Sequence, residues 1–264
     1  MSKWRPSKKD CLYVIGDVHG LLPQLKIIFS RIFPLRKSDG INDHLIMLGD
    51  YIDRNIDSHK VIDLLIEKKK KFKNKILLLR GNHEKMFLES IKNGRSNPSN
   101  YDLWLLNGGD KTLMGYLQRK GLPLENAWNL SRDRLKDLVP QEHVDFLENQ
   151  LIDYIETDEY IFVHGGCDPL EALKNQNLDI LLWDRSLNSF VKKMYIHKKK
   201  LPWNKTIITG HNGDETSPFI YDKYIMLDCS SQLNISVLEI NSMECFLAKA
   251  GNGKLIKLNS KHSL

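Results

Sequence analysis

The sequence predicts a layered α/β fold, and three features carry that expectation. Apolar runs of strand length recur along the chain, the early runs alternate with stretches of helical periodicity, and each of these runs ends in a glycine-bearing turn. Buried strands alternating with helices make a sheet covered by helices. The first unit is Leu12 to Ile15, the turn GDVHG, and a helix with Leu21, Leu22, Leu25, Ile28, Phe29 and Ile32 at spacings of three and four. The second is Leu45 to Leu48, the turn GDYIDR, and a helix presenting Val61, Ile62, Leu65 and Ile66. The third is Ile76 to Leu79, the turn RGNHE, and a helix from about Lys85 to Ile91.

Between 93 and 150 the strand signal gives way to amphipathic helices, with Asn107-Gly108-Gly109 as a turn and Asp110 as the N-cap of a helix reaching Lys120. No Pro/Gly/Ser-rich linker sets this stretch apart, so a single domain over 1–264 with a helical insertion at 93–150 is expected. Strands resume at Tyr160 to Val163, ending in HGG, and at Thr206 to Thr209, ending in GH. Tyr224 to Leu227, Ile235 to Ile240 and Cys245 to Ala248 then read as consecutive antiparallel strands, and the polar last dozen residues as a frayed end.

The 264 residues are 41% hydrophobic and 27% charged, ordinary globular usage that excludes a disordered, collagenous or coiled-coil chain. No apolar run approaches the ~18 residues of a membrane span, so no membrane partner is expected. The N-terminal MSKWRPSKKD is basic but no apolar segment before a cleavage site follows, so a cytoplasmic protein is expected. Cys11, Cys167, Cys229 and Cys245 form no CxxC pair and read as buried free thiols. The excess of 39 Lys and Arg over 33 Asp and Glu favours acidic or phosphorylated partners. The basic runs Lys68 to Lys71 and His197 to Lys200 lack interleaved aromatics, so they read as solvated helix ends and nucleic acid is not expected as a partner.

Ligands of open α/β sheets bind beyond the carboxyl ends of the strands. Five strand ends here carry Asp17 and His19; Asp50; Asn82 and His83; His164; and His211. Turns use Gly, Asn, Asp and Pro but have no use for His, so this recurrence points to metal ligation. His44, His59, His143, His197 and His262 lack that context and read as structural or solvent-exposed. Carboxylate, amide and imidazole donors without thiolate suit Mn²⁺, Fe²⁺ or Zn²⁺. Asp17, His19, Asp50, Asn82, His164 and His211, six candidate ligands, exceed what one catalytic ion takes, and two ions sharing a carboxylate are the arrangement that clamps an in-line displacement at phosphorus.

The motif set GDVHG, GDYIDR, GNHE, HGG and TGH, in that order from Gly16 to His211, resembles the binuclear metallophosphoesterases, and more narrowly the phosphoprotein phosphatase (PPP) family of serine/threonine phosphatases. NGGDKTL at Asn107 to Leu113 and LLWDR at Leu181 to Arg185 are similar to its compact bacterial branch. The resemblance implies a calcineurin-like α/β/β/α fold, with two mixed sheets between helical layers. It implies two divalent ions, Mn²⁺ foremost with Fe or Zn as other options, one held by Asp17, His19 and Asp50 and the other by Asp50, Asn82, His164 and His211. It further implies that His83 protonates the leaving oxygen, that Asp53 orients His83, that Arg54 and Arg185 hold the phosphate, and that a metal-bridging hydroxide attacks phosphorus directly.

Asn82 and His83, as neighbours on chain that begins extended, are expected to point apart. Arg185 is also readable as a surface ion pair, and Glu84 reads as a structural charge at a helix N-terminus. Two positions depart from the family pattern: Asn55 stands where Gly is usual, on a turn whose left-handed backbone Asn tolerates, and DCSSQLN at Asp228 to Asn234 lacks the usual glycines. The expected substrate is a phosphorylated protein or peptide, with small phosphomonoesters turned over in vitro. A dinucleoside polyphosphate hydrolase is the second enzymatic reading, against which Glu84 leans because those relatives read GNHD. A catalytically silent binding scaffold is the third, and retention of Asn82 and His83 leans against it.

Overall fold

A computed structural model describes residues 11–32, 43–93, 98–124, 132–213, 216–251 and 253–258. In chain order its elements are β1 (Leu12–Ile15), α1 (Leu22–Arg31), β2 (His44–Met47), α2 (Ser58–Phe72), β3 (Ile76–Leu79), α3 (Asn82–Asn93), α4 (Pro98–Trp104), α5 (Asp110–Arg119), α6 (Arg132–Leu138) and α7 (Gln141–Asn149). There follow β4 (Leu151–Ile152), β5 (Tyr154–Glu156), β6 (Tyr160–Val163), α8 (Leu178–Trp183), α9 (Ser186–Ile196), β7 (Thr206–Thr209), β8 (Phe219–Tyr221), β9 (Tyr224–Met226), β10 (Asn234–Glu239), β11 (Glu244–Lys249) and β12 (Leu255–Lys257).

The strands form two mixed sheets, one of seven in the order β12-β11-β10-β1-β2-β3-β4 and one of five in the order β5-β6-β7-β9-β8. Within them β1, β2 and β3 run parallel, as do β6, β7 and β9. Period-two alternation sorts their side chains into layers. Val14, Ile46, Leu48 and Leu79 of the first sheet meet Phe162, Ile208, Ile225 and Leu227 of the second in a core between the sheets. The other face of the first sheet, with Tyr13, Ile15, Leu45 and Met47, packs on Leu25 and Ile28 of α1, Val61 and Leu65 of α2 and Phe87 of α3. The outer face of the second, with Val163, Ile207 and Met226, packs on Leu181 of α8 and on Leu187 and Val191 of α9. The result is the expected α/β/β/α sandwich, in which each fully buried Leu or Ile contributes ~1.5–3 kcal/mol. All four cysteines are free and buried, and no helix among the described residues is long and apolar enough to cross a membrane.

Several expectations need correction. β9 does not pair with β10: the chain leaves the second sheet after Met226, and β10 enters the first sheet antiparallel to β1. The residues between them therefore cross the seam of the sandwich. Helix α3 begins at Asn82, not near Lys85, so Asn82 and His83 occupy a first helical turn. They still point apart, because consecutive helical residues are separated by ~100° around the axis. The turn Asn107-Gly108-Gly109 belongs to a π-helical turn, Leu105–Gly109, with Gly108 at φ 98°, and Asp110 supplies no side-chain cap. Part of the expected frayed end is an edge strand, β12, paired to β11. His262 and residues 1–10 lie outside the described residues.

Candidate metal centre

The five turns that end β1, β2, β3, β6 and β7 converge at one end of the sandwich. Asp50 is at the middle: its Oδ2 lies 3.4 Å from His19 Nε2 and 3.8 Å from His83 Nε2, and its Oδ1 lies 3.2 Å from His164 Nε2. Asn82 Oδ1 is 3.0 Å from the same His164 nitrogen. The Asp17 carboxylate accepts the His211 backbone N–H at 3.0 and 3.2 Å. Asp17, His19, Asp50, Asn82, His164 and His211 are all buried. Donor atoms within 4.8 Å of one another fall into two groups, His19–Asp50–His83 and Asp50–His164–His211, with Asp50 common to both.

The donors fit a pair of cations. His19 Nδ1–H donates to the Ile52 carbonyl at 2.8 Å, which leaves the Nε2 lone pair free, and that Nε2 is buried without a hydrogen-bond partner. His211 Nε2 is orphaned in the same way. A buried polar atom without a partner costs ~1–3 kcal/mol, so two in one cavity call for a ligand. Burial keeps both imidazoles neutral, taking His19 well below its ordinary value and His211 down to about 3, and neutral imidazole is the metal-ligating form. Burial acts to raise Asp50, but His164, His83 and His19 together hold it well below the usual carboxylate range. Burial, then the neighbouring Asp228 and Asp50, push Asp17 well above it. Burial also acts to lower His164 and His83; Asp50 together with Glu84 and the Leu48 carbonyl outweighs it at His164, and Asp50 together with Asp53 outweighs it at His83, for a net rise in both.

The turns that deliver these groups are strained. His19, Asp50, Asp53, Arg54 and His211 are non-glycine residues with φ of 42°, 51°, 71°, 65° and 65°, each costing ~1–2 kcal/mol. Asn55 is not among them. The left-handed residues of that turn are Asp53 and Arg54, and the Asn55 amide instead donates to the His19 carbonyl at 2.8 Å, tying the first two turns together. Glycine is required at Gly81 and Gly210 for space, since a Cβ would overlap the Asp50 carboxylate at one and the Asp17 carboxylate at the other.

His83 Nδ1 is 2.7 Å from Asp53 Oδ2, and Arg54 Nη2 is 3.4 Å from His83 Nε2. Arg54 is exposed at the mouth. Arg185 is exposed as well, close enough to His211 that its charge depresses that imidazole. Among the described residues no ion pair forms between Arg185 and the neighbouring Asp184, whose carboxylate accepts the N–H groups of Ser186 and Leu187, each at 3.0 Å.

Two buried acids have more to do than the sequence suggested. Glu84 accepts N–H bonds from Asp50 at 2.9 Å, Tyr51 at 2.8 Å and Gly81 at 3.0 Å, so it joins the turns after β2 and β3. Burial and the nearby Asp50 lift its carboxyl to about 7. Asp228, on the chain crossing between the sheets, lies beside Asp17 and accepts from Ser230 N–H and Oγ at 2.9 and 2.7 Å. A lone Asp in a polar stretch carried no signal that would have found it.

The Calcineurin-like phosphoesterase family matches residues 12–224. The chain belongs to this family. Calcineurin-like phosphoesterases are binuclear metal enzymes, in keeping with the two donor groups around Asp50. The chain is 36% identical over 99 residues to serine/threonine-protein phosphatase 2 of Escherichia coli, covering 38% of each chain. It is 41% identical over 71 residues to serine/threonine-protein phosphatase SIT4 of Candida albicans, covering 27% of this chain and 22% of that one. These matches thus span well under half the length of either phosphatase. Among solved structures, a crystal structure provisionally called a diadenosine tetraphosphatase superposes with a TM-score of 0.56 at 18% identity, covering 96% of this chain and 95% of that one. A serine/threonine phosphatase of Saccharomyces cerevisiae superposes at 0.54 and 15%, covering 96% and 80%. At such identities these likenesses speak for the fold.

Proposed function

We propose that this calcineurin-like phosphoesterase is a metal-dependent phosphomonoester hydrolase acting on phosphoserine and phosphothreonine in proteins. The observation that carries the reading is the Asp53–His83 pair, 2.7 Å between Oδ2 and Nδ1, set against the double donor cage around Asp50. Asp17, His19 and Asp50 would hold one ion and Asp50, Asn82, His164 and His211 the other; these donors suit Mn²⁺, Fe²⁺ or Zn²⁺, and the family resemblance puts Mn²⁺ first. Two such ions supply Lewis-acid charge at phosphorus and acidify bound water. His83 falls within one donor group by distance, but its Nδ1 is taken by Asp53, and a carboxylate there favours the protonated imidazole that a proton donor requires.

The chain's own residues then divide the work. Arg54 and Arg185 present planar forks to the phosphate oxygens at the mouth and orient the ester. As the P–O bond to the leaving group breaks, its electron pair goes to the departing oxygen, which takes a proton from His83 Nε2. Asp53 holds the other ring nitrogen protonated and stabilises the positive imidazole before that transfer. The similarity to phosphoprotein phosphatases supports the protein substrate, and Arg185 as a phosphate ligand rests chiefly on its motif. We place the protein in the cytoplasm, as a single domain whose segment 93–150 is a helical insertion.

The test is a side-by-side panel on Mn²⁺-loaded protein: a phosphoserine peptide, a phosphotyrosine peptide, para-nitrophenyl phosphate and diadenosine tetraphosphate. Metal-dependent release of phosphate from the phosphoserine peptide is expected. The superposition over 96% of the chain on a structure provisionally called a diadenosine tetraphosphatase makes the second outcome concrete: cleavage of the tetraphosphate into two diphosphates without action on peptides would replace the reading. No turnover of any member would leave the scaffold.

A further inference from the structure

The Asp53 carboxylate has more partners than His83. The Trp104 indole N–H lies 3.0 Å from each of its oxygens, and the Thr112 hydroxyl donates to Oδ1 at 2.6 Å. Thr112 Oγ1 also accepts the backbone N–H of Asp53 at 2.9 Å, so one hydroxyl grips both the side chain and the main chain of the same residue. Ser58 Oγ accepts that N–H as well, at 3.0 Å. Asp53, Trp104 and Thr112 are all fully buried.

Trp104 ends α4 and Thr112 lies in the first turn of α5, on either side of the π-helical turn Leu105–Gly109. That turn is shaped to bring them to one carboxylate. Gly108 takes φ 98° and its carbonyl accepts the Arg54 N–H at 2.9 Å. A Cβ on Gly109 would overlap the Trp104 indole. The glycine pair and threonine of NGGDKTL therefore act on Asp53 and Arg54, two adjacent residues with left-handed backbone that persists only where the surroundings over-determine it.

We propose that Trp104 and Thr112 are positioning residues for phosphoester cleavage: by filling the remaining acceptor sites of Asp53 they fix the carboxylate plane against His83 Nδ1, and so aim His83 Nε2 at the leaving oxygen. The proposal rests on the reading of His83 as proton donor. A carboxylate bonded only to imidazole can swing about its Cβ–Cγ bond. One that also accepts an indole N–H and a hydroxyl cannot swing without leaving a buried donor unpaired. Removal of such outer partners typically costs ~10–100-fold in activity.

The role predicts selectivity for the leaving group. Alkyl phosphates such as a phosphoserine peptide depart as strongly basic alkoxides and need the proton, whereas 2,4-dinitrophenolate leaves without it. Thr112→Val and Trp104→Phe are expected to lower kcat ~10–100-fold on the phosphoserine peptide and to leave kcat on 2,4-dinitrophenyl phosphate, KM and bound Mn²⁺ near the parent values. Thr112→Ser, which keeps the hydroxyl, should restore the rate. A second readout needs neither metal nor turnover: the His83 Nδ1–H proton resonance of ¹⁵N-histidine-labelled metal-free protein is expected downfield in the parent and in Thr112→Ser, and shifted upfield or broadened in Thr112→Val. Equal losses on both esters, a Thr112→Ser variant as slow as Thr112→Val, or an unmoved resonance would each overturn the proposal. If the parent turned over no phosphoester at all, the proposed function would fall with it, while the resonance would still show whether Trp104 and Thr112 order the Asp53–His83 pair.

Discussion

Replacing Glu84 is the sharpest test of how the metal turns are held. Its carboxylate is fully buried and accepts the N–H groups of Asp50, Tyr51 and Gly81 at 2.9, 2.8 and 3.0 Å. Glu84→Ala removes both acceptor oxygens and leaves these N–H donors without the carboxylate. Each orphaned buried donor costs ~1–3 kcal/mol, and loss of a negative charge in the first turn of α3 adds ~0.3–1 kcal/mol. With some relief from entering water, the sum is ~3–6 kcal/mol, a large part of the ~5–15 kcal/mol that keeps a domain folded. At a urea dependence of ~3 kcal/mol per molar, the unfolding midpoint should fall by ~1–2 M. Glu84→Gln keeps one acceptor oxygen and should lose about half as much. Urea titration of metal-free protein, followed by far-UV circular dichroism, measures both. A Glu84→Ala midpoint within ~0.3 M of the parent would refute the argument, because the three N–H groups would then be finding water unaided and the turns would not depend on this carboxylate.

Other outcomes can be stated more briefly. His83→Gln should lower kcat on the phosphoserine peptide by ~10²-fold or more with metal content unchanged, and an equal rate would remove His83 from the chemistry. Asp50→Asn should reduce metal at both sites together, since Asp50 belongs to both donor groups; atomic emission on dialysed protein showing one ion retained at full occupancy would contradict a shared ligand. Away from the metal turns, burial holds His143 and His59 below their ordinary value. The unfolded chain then binds their protons more readily than the folded one, so their stability contribution is complete above pH ~6.5 and is lost as the pH falls below it. For Asp63, which faces His143 at 3.0 Å, burial acts to raise the carboxyl but Arg119 and His143 outweigh it for a net fall, so its contribution disappears only in the more acidic carboxylate range. His143→Gln should therefore flatten the loss of stability of metal-loaded protein between pH ~6.5 and ~5, and parallel profiles for parent and variant would refute it.

What could be read from the sequence was what composition makes anomalous. Histidines at the ends of apolar runs have no local reason to be there, so His19, His83, His164 and His211 stood out, and their strands with them. Trp104 and Thr112 did not, because each sits at a helical spacing that a plain core residue would also occupy, and nothing local says that a π turn brings them to Asp53. β4, β5, β8 and β12 are two or three residues long, too short for alternation to declare itself. The passage of the chain from β9 to β10 between sheets was invisible because period two gives the faces of a strand but not its neighbours. The beginning of α3 was misplaced for a related reason: Asn82 and His83 look like turn residues, and their helical backbone follows from the Glu84 bonds to the preceding strand ends.

The donor set has a mechanical side. Asp17, His19, Asp50 and Asn82 are mounted on the seven-stranded layer, and His164 and His211 on the five-stranded one. An ion ligated from both would be a rivet through the laminate. Stripping it should let the layers part at that end first, so that amides of β6 and β7 exchange with deuterium sooner while those of β11, two strands from β1 in the seven-stranded sheet, keep their protection.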